Sequence, residues 1–219
     1  MQSTAKKFIF FSSVKVAADT IDTILTENVI PSPRGPYGES KLAAEEYIKT
    51  TSANMSISNK QIYILRPCMI HGPGNKGNLN LLYNVARKGI PWPLGAFDNK
   101  RSFTSIDNLT YLIHELLEQD IASGIYNIAD DEALSTNEII KIIGETRSRK
   151  CNIWRVNKEL IKGVAVLGNI LHLPLNQDRL NKLTENYIVS NEKLKKALGI
   201  DYLPVSAREG LIKTIRSFE

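Results

Sequence analysis

Polar and apolar positions change their period several times along this chain. Lys7-Phe8-Ile9-Phe10-Phe11 is an unbroken apolar and aromatic run closed by Ser12-Ser13. Runs without polar alternation suit a strand covered on both faces inside a parallel sheet. A first strand is expected at an edge, whereas this one reads as a central strand whose neighbours are missing. Gln61 to Arg66 and Gly124 to Ile128 are two further strands of the same kind, the first stopped by Pro67.

Between and after the strands the period becomes helical. Pro36 to Thr51 predicts a helix with Leu42, Ala43, Tyr47 and Ile48 as its stripe and a Glu45–Lys49 pair on its surface. His71 to Gly77 reads as a loop and Leu79 to Lys88 as a short helix. The segment Gly89 to Arg101 is broken by proline and glycine. Asp107 to Glu118 is a helix that Asp107 caps, and Ser135-Thr136-Asn137-Glu138 is a capping box opening a helix through Ile143. The remainder is mostly helical, ending in Ser190–Leu198, with Gly199 as its cap, and Ser206–Phe218. Strands alternating with helices give an α/β fold with a parallel sheet and a helix-rich tail.

Composition narrows the function classes. Hydrophobic residues at 42% and charged residues at 23% of 219 are ordinary for a globular chain. The net charge of +5 reads as spread along the chain, without a basic run of nucleic-acid type, and suits an anionic small ligand. Two cysteines give no disulfide framework, and three histidines show no zinc spacing. The apolar stretch Leu160 to Leu175 contains Lys162, Asn169 and His172 and falls short of the roughly 20 residues of a span; within it Leu160 to Leu171 reads as a core or lid helix in preference to a partner-facing amphipathic helix or a membrane contact. A soluble, reducing, cytoplasmic protein is the expectation.

The chemistry gathers at Tyr37 and Lys41, four apart at a helix start and so on one face. A lysine ammonium beside a phenol favours the phenolate, and such a tyrosine can take a hydroxyl proton while a hydride leaves the same carbon. Ser13 ends a buried strand, where open α/β sheets place their ligands, and could hold the reacting oxygen.

These residues resemble a family, the extended short-chain dehydrogenase/reductases of the NAD-dependent epimerase/dehydratase group. The matching pieces, in family order, are Phe10 to Val16, Pro36-Tyr37-Gly38-Glu39-Ser40-Lys41, and Leu65-Arg66-Pro67 with His71-Gly72-Pro73-Gly74. Arg101-Ser102-Phe103 with Ile106-Asp107-Asn108-Leu109 completes them. The resemblance implies that Tyr37 is the acid/base, that Lys41 holds the nicotinamide ribose and that Ser13 aligns the substrate hydroxyl. It implies that Pro67 and His71 wall the NAD (or NADP) pocket, His71 standing where the family usually has tyrosine. Asn78 and Leu79 would approach the nucleotide of a UDP-sugar, and Arg101 its diphosphate.

The implied activity is a UDP-hexose 4-epimerase working through a 4-keto intermediate, with a UDP-4-keto-sugar reductase as alternative. A 4,6-dehydratase fits less well, because Val14-Lys15 stands where that branch has an Asp-Glu pair. In the family a glycine-rich turn after the first strand seats the cofactor pyrophosphate, and none follows Phe11 here. The chain therefore reads as the C-terminal two-thirds of such a protein, with a catalytically silent fragment or sugar-nucleotide-binding module as the reading of another class. The expected organisation is a partial Rossmann domain over 1–72 and 101–129 and a substrate-binding domain over 73–100 and 130–219. A homodimer through the helix of Tyr37 is implied by resemblance alone, and no nucleic-acid partner or membrane span is expected.

Overall fold

The computed structural model describes residues 4–21, 23–54, 60–75, 78–171 and 176–218. Three strands, β1 (Lys7–Phe11), β2 (Gln61–Pro67) and β5 (Gly124–Ile128), form a parallel sheet in the order β1-β2-β5. Phe11 pairs with Leu65, and Pro67 with Ile128, so the strands end close together. The central place expected for the first strand is taken within this sheet by β2. Two short strands that the pattern did not predict, β3 (Met69–His71) and β4 (Phe103–Ser105), pair with each other.

The chain divides into two units. The first comprises residues 1–70, 102–131 and 187–206; the second 71–101, 132–186 and 207–219. The segment 187–206, expected on the substrate side, thus belongs with the sheet, and the reason is apolar packing. Leu194 and Leu198 of α7 (Glu192–Leu198) are buried with Leu112 and Leu116 of α3 (Ile106–Glu118) against Tyr63, Leu65, Tyr126 and Ile128. The opposite sheet face, Ile62 and Ile64 with Phe8, Phe10 and Ile125, is covered by Ile48 of α1 (Pro36–Asn54). Ile62 to Leu65 of β2 therefore meet an apolar layer on either face, which is why this stretch lacks polar alternation.

Two sequence expectations are corrected inside this unit. Asp107 is not the cap of α3; Ser105 is, its hydroxyl accepting from the Asn108 N–H at 3.3 Å. Asp130 then ties that cap down, accepting from the Ser105 N–H at 3.0 Å and the Asn108 amide at 2.7 Å. Glu45 is not on the surface beside Lys49 but fully buried, and its partners are described below.

The second unit is helical. It holds α2 (Asn78–Arg87), α4 (Thr136–Thr146), α5 (Lys158–Leu171), α6 (Gln177–Thr184) and α8 (Ala207–Arg216). The capping box forms as the sequence predicts: the Ser135 hydroxyl accepts from the Glu138 N–H at 3.0 Å, and the Glu138 carboxylate from the Ser135 N–H at 2.7 Å. Among the described residues no helix is long and apolar enough to cross a membrane.

Candidate functional site at the end of the first strand

Ser13 leaves β1 in extended backbone and caps a 3-10 turn, Val14–Val16, its buried hydroxyl accepting from the Lys15 N–H at 3.2 Å. The turn is held from several sides. The Tyr187 hydroxyl lies 3.1 Å from the Val14 carbonyl and 2.7 Å from that of Ala18, and the Lys15 ammonium sits over the Tyr187 ring. Asp19 accepts from the Lys15 ammonium at 3.0 Å and from the Arg34 N–H at 2.7 Å, which leads the chain back to the start of α1.

The first turn of α1 comes very close to this turn, and Gly38 permits it. A Cβ at position 38 would stand 2.8 Å from the Lys15 carbonyl oxygen and 2.7 Å from the Pro33 Cβ, closer than such atoms approach. Tyr37, beside that glycine, is 58% exposed. Lys41, one helical turn on, donates from its ammonium to the Phe11 carbonyl at 3.0 Å and lies over the Phe10 ring. An ammonium carries three donors, so others are left for a ligand. Ser13 and Lys41 thus meet at the carboxyl end of β1, beside the first turn of α1 that carries Tyr37. Pro67 closes β2 at the same end of the sheet.

Beneath this corner lies a buried polar group that sequence reasoning missed. The Glu45 carboxylate, fully buried on α1, accepts from Arg66 Nε at 2.8 Å, from its NH2 at 2.6 Å and from the Ser12 hydroxyl at 2.5 Å. The signal was Arg66 itself, one charge inside an otherwise apolar strand, which must find a buried partner.

The remaining candidates belong to the second unit. His71 is buried, its Nδ1 2.9 Å from the Thr214 hydroxyl on α8. Leu79 is buried on α2, and Asn78 opens that helix, its side chain lying outside the described residues. Arg101 bridges to Leu134 through its backbone and donates from NH1 to the Lys182 carbonyl. Gly72 to Gly77 does have G-x-G-x-x-G spacing, although it follows β3 rather than the first strand. The Gly74 N–H is spent on the Ser217 hydroxyl at 3.1 Å, and residues 76 and 77 lie outside the described ones. No metal-binding group of His, Cys, Asp or Glu occurs among the described residues.

Comparison with known proteins points to one family. The pattern of the NAD dependent epimerase/dehydratase family matches residues 1–129. A UDP-glucose 4-epimerase of Vibrio cholerae is 32% identical over 222 residues, covering 100% of this chain and 65% of that protein. The N-acetyl-alpha-D-glucosaminyl-diphospho-ditrans,octacis-undecaprenol 4-epimerase of Escherichia coli O157:H7 is 30% identical over 87% of this chain and 55% of its own length. Among solved structures, the UDP-glucuronic acid 4-epimerase of Bacillus cereus in complex with NAD superposes with a TM-score of 0.72 at 20% identity, over 99% of this chain and 62% of that one. This last likeness shows the fold, a Rossmann-type α/β sheet with a helical companion. The chain spans less than two thirds of each of these proteins.

Proposed function

Because the chain belongs to the NAD dependent epimerase/dehydratase family, we propose that it carries the proton-transfer corner of a sugar-diphosphate 4-epimerase, with a UDP-hexose as substrate. The observation that carries this reading is the meeting of Ser13 and Lys41 at the end of β1, with the first turn of α1, where Tyr37 stands, brought against Lys15 at Gly38.

In this reading Tyr37 takes the proton of the sugar 4-hydroxyl as the C4 hydrogen departs as hydride, and returns it after the 4-keto sugar has turned its other face. NAD, when bound, supplies the hydride acceptor and donor. Ser13 hydrogen-bonds the reacting oxygen and fixes it in reach of the phenol. Lys41, anchored on the Phe11 carbonyl, directs its remaining donors at ribose hydroxyls. The donor chemistry of these residues fits such a group: hydroxyl and ammonium donors, with one acid/base of high exposure. Pro67 and His71 are assigned to the wall of the cofactor pocket, and Asn78, Leu79 and Arg101 to the nucleotide and diphosphate. Arg101 suits that work through its planar fork of donors.

The name of the second relative, an undecaprenol-linked sugar diphosphate epimerase, supports a polyprenyl diphosphate as the alternative carrier of the sugar. Native mass spectrometry of the 219-residue chain with NAD and UDP-glucose tests the binding half of this proposal. A one-to-one NAD adduct that Lys41→Met removes supports it, and a folded chain that takes up no NAD contradicts it.

A further inference from the structure

The net charge of the chain is not evenly spread, as its composition alone suggests. Residues 147–162 contain six basic side chains (Arg147, Arg149, Lys150, Arg155, Lys158 and Lys162) and one acid, Glu159, a net +5. That equals the net charge of the whole chain and leaves 22 charges of each sign elsewhere. Arg147 is engaged with Tyr83, donating to its hydroxyl at 2.6 Å. The other five are exposed, and Lys162 shares Glu159 as an ion pair.

This basic segment leads into α5, whose apolar residues serve two faces. Ile161 and Ala165 are buried and hold the helix to its unit. Leu160, Val164 and Leu167, spaced i, i+4, i+7, form a second stripe that is 62%, 42% and 56% exposed. Trp154, just before the helix, is 58% exposed. By helical spacing Lys158 and Lys162 lie on the side opposite this stripe, where Val166 is also 52% exposed. The core or lid helix expected from sequence thus has an exposed apolar face beside its buried one.

We propose that α5, with Trp154 and the basic residues around it, is an in-plane docking element for an anionic lipid bilayer. The combination of an exposed aliphatic stripe, lysines on the other side, an exposed tryptophan and a local excess of positive charge is that of an interfacial helix. Fourteen residues reach about 21 Å, too short to span a core of about 30 Å, so the helix lies along the surface. The excess of cations selects an anionic surface over an uncharged apolar protein face. The proposal does not rest on the hydride-transfer reading.

Co-sedimentation of the full chain with vesicles of phosphatidylcholine alone, and of equimolar phosphatidylcholine and phosphatidylglycerol, tests it without cofactor or sugar. Binding is expected to the anionic vesicles and to weaken as salt rises. It should fall at least about tenfold in Leu160→Glu/Leu167→Glu and in Lys150→Glu/Arg155→Glu. Circular dichroism checks the fold of each variant; the charge pair touches only exposed side chains and remains a test if the apolar pair misfolds. Equal sedimentation with both vesicles, or undiminished binding by a folded variant, overturns the proposal. So does a dimer in solution that Leu160→Glu/Leu167→Glu converts to monomer, since the stripe would then face a second copy.

Discussion

Glu45 and Arg66 form a two-pronged ion pair with both side chains buried, 2.8 and 2.6 Å between their atoms, and join α1 to β2 directly under the candidate site. Arg66 NH1 is left without a hydrogen-bond partner among the described residues. Breaking such a pair strands a charge in the interior, which costs about 3–5 kcal/mol, while replacing both partners by apolar groups is often nearly neutral. Glu45→Leu or Arg66→Met alone should therefore lower the urea midpoint sharply, and the double variant should recover most of the loss. Single variants as stable as the wild type would show that the pair carries no stability.

Gly38 sets the distance between α1 and the turn after Ser13. Gly38→Ala places a Cβ 2.8 Å from the Lys15 carbonyl oxygen and 2.7 Å from Pro33 Cβ, so that the backbone or the proline ring must shift. Overpacking of this kind typically costs about 1–3 kcal/mol. Thermal unfolding should register that loss, and NAD affinity should fall by more than stability alone explains because Tyr37 and Lys41 move with the helix. Unchanged stability and affinity would remove the steric account.

The capping box gives a pH dependence with a definite sign. The hydrogen bond from the Ser135 N–H holds the Glu138 carboxyl below its ordinary range, against an opposing effect of burial. A carboxyl whose folded value is depressed adds stability above its unfolded value, and that stability is lost as pH falls through the folded value. Urea midpoints should show wild type exceeding Glu138→Gln by a constant margin at neutral pH, the margin closing on acidification below the ordinary glutamate range. A margin that widens in acid would contradict the assignment.

Burial raises the Cys151 thiol, with Arg147 opposing weakly. Thiolate is the reactive form, so Cys151 should label slowly with a disulfide reagent at neutral pH and faster as pH rises. Cys68, buried in the packing beneath the turn after Ser13, should label only on unfolding. Rapid labelling of both in the native chain would contradict this packing.

Much of this architecture was legible in the sequence where the cause is local or repetitive. Phe8 to Phe10 and Ile62 to Leu65 read as strands because apolar layers lie on both faces, and Ser135, Glu138 and Gly199 read as caps because capping is decided within four residues. Glu45 was misread because helix spacing offers Lys41 and Lys49, whereas its partner Arg66 is 21 residues away and visible only once β2 is placed beside α1. Asp107 was misread because Ser105 and Asp130 compete for the same helix start from β4 and from the residues after β5. Tyr187 escaped notice altogether: a tyrosine in a helical tail carries no sign that its hydroxyl will meet the turn after Ser13, 173 residues earlier in the case of Val14.

The central claim is that Tyr37 moves the proton of the sugar 4-hydroxyl. Formation of UDP-galactose from UDP-glucose, followed in the presence of NAD for the wild type and for Tyr37→Phe, tests it most directly. General acid–base catalysis is worth about 100- to 10,000-fold, so the account predicts turnover by the wild type and a loss of at least that lower factor in a Tyr37→Phe variant that still binds both ligands. Equal turnover by the two proteins, or no turnover by a wild-type chain that binds NAD and UDP-glucose, would contradict it.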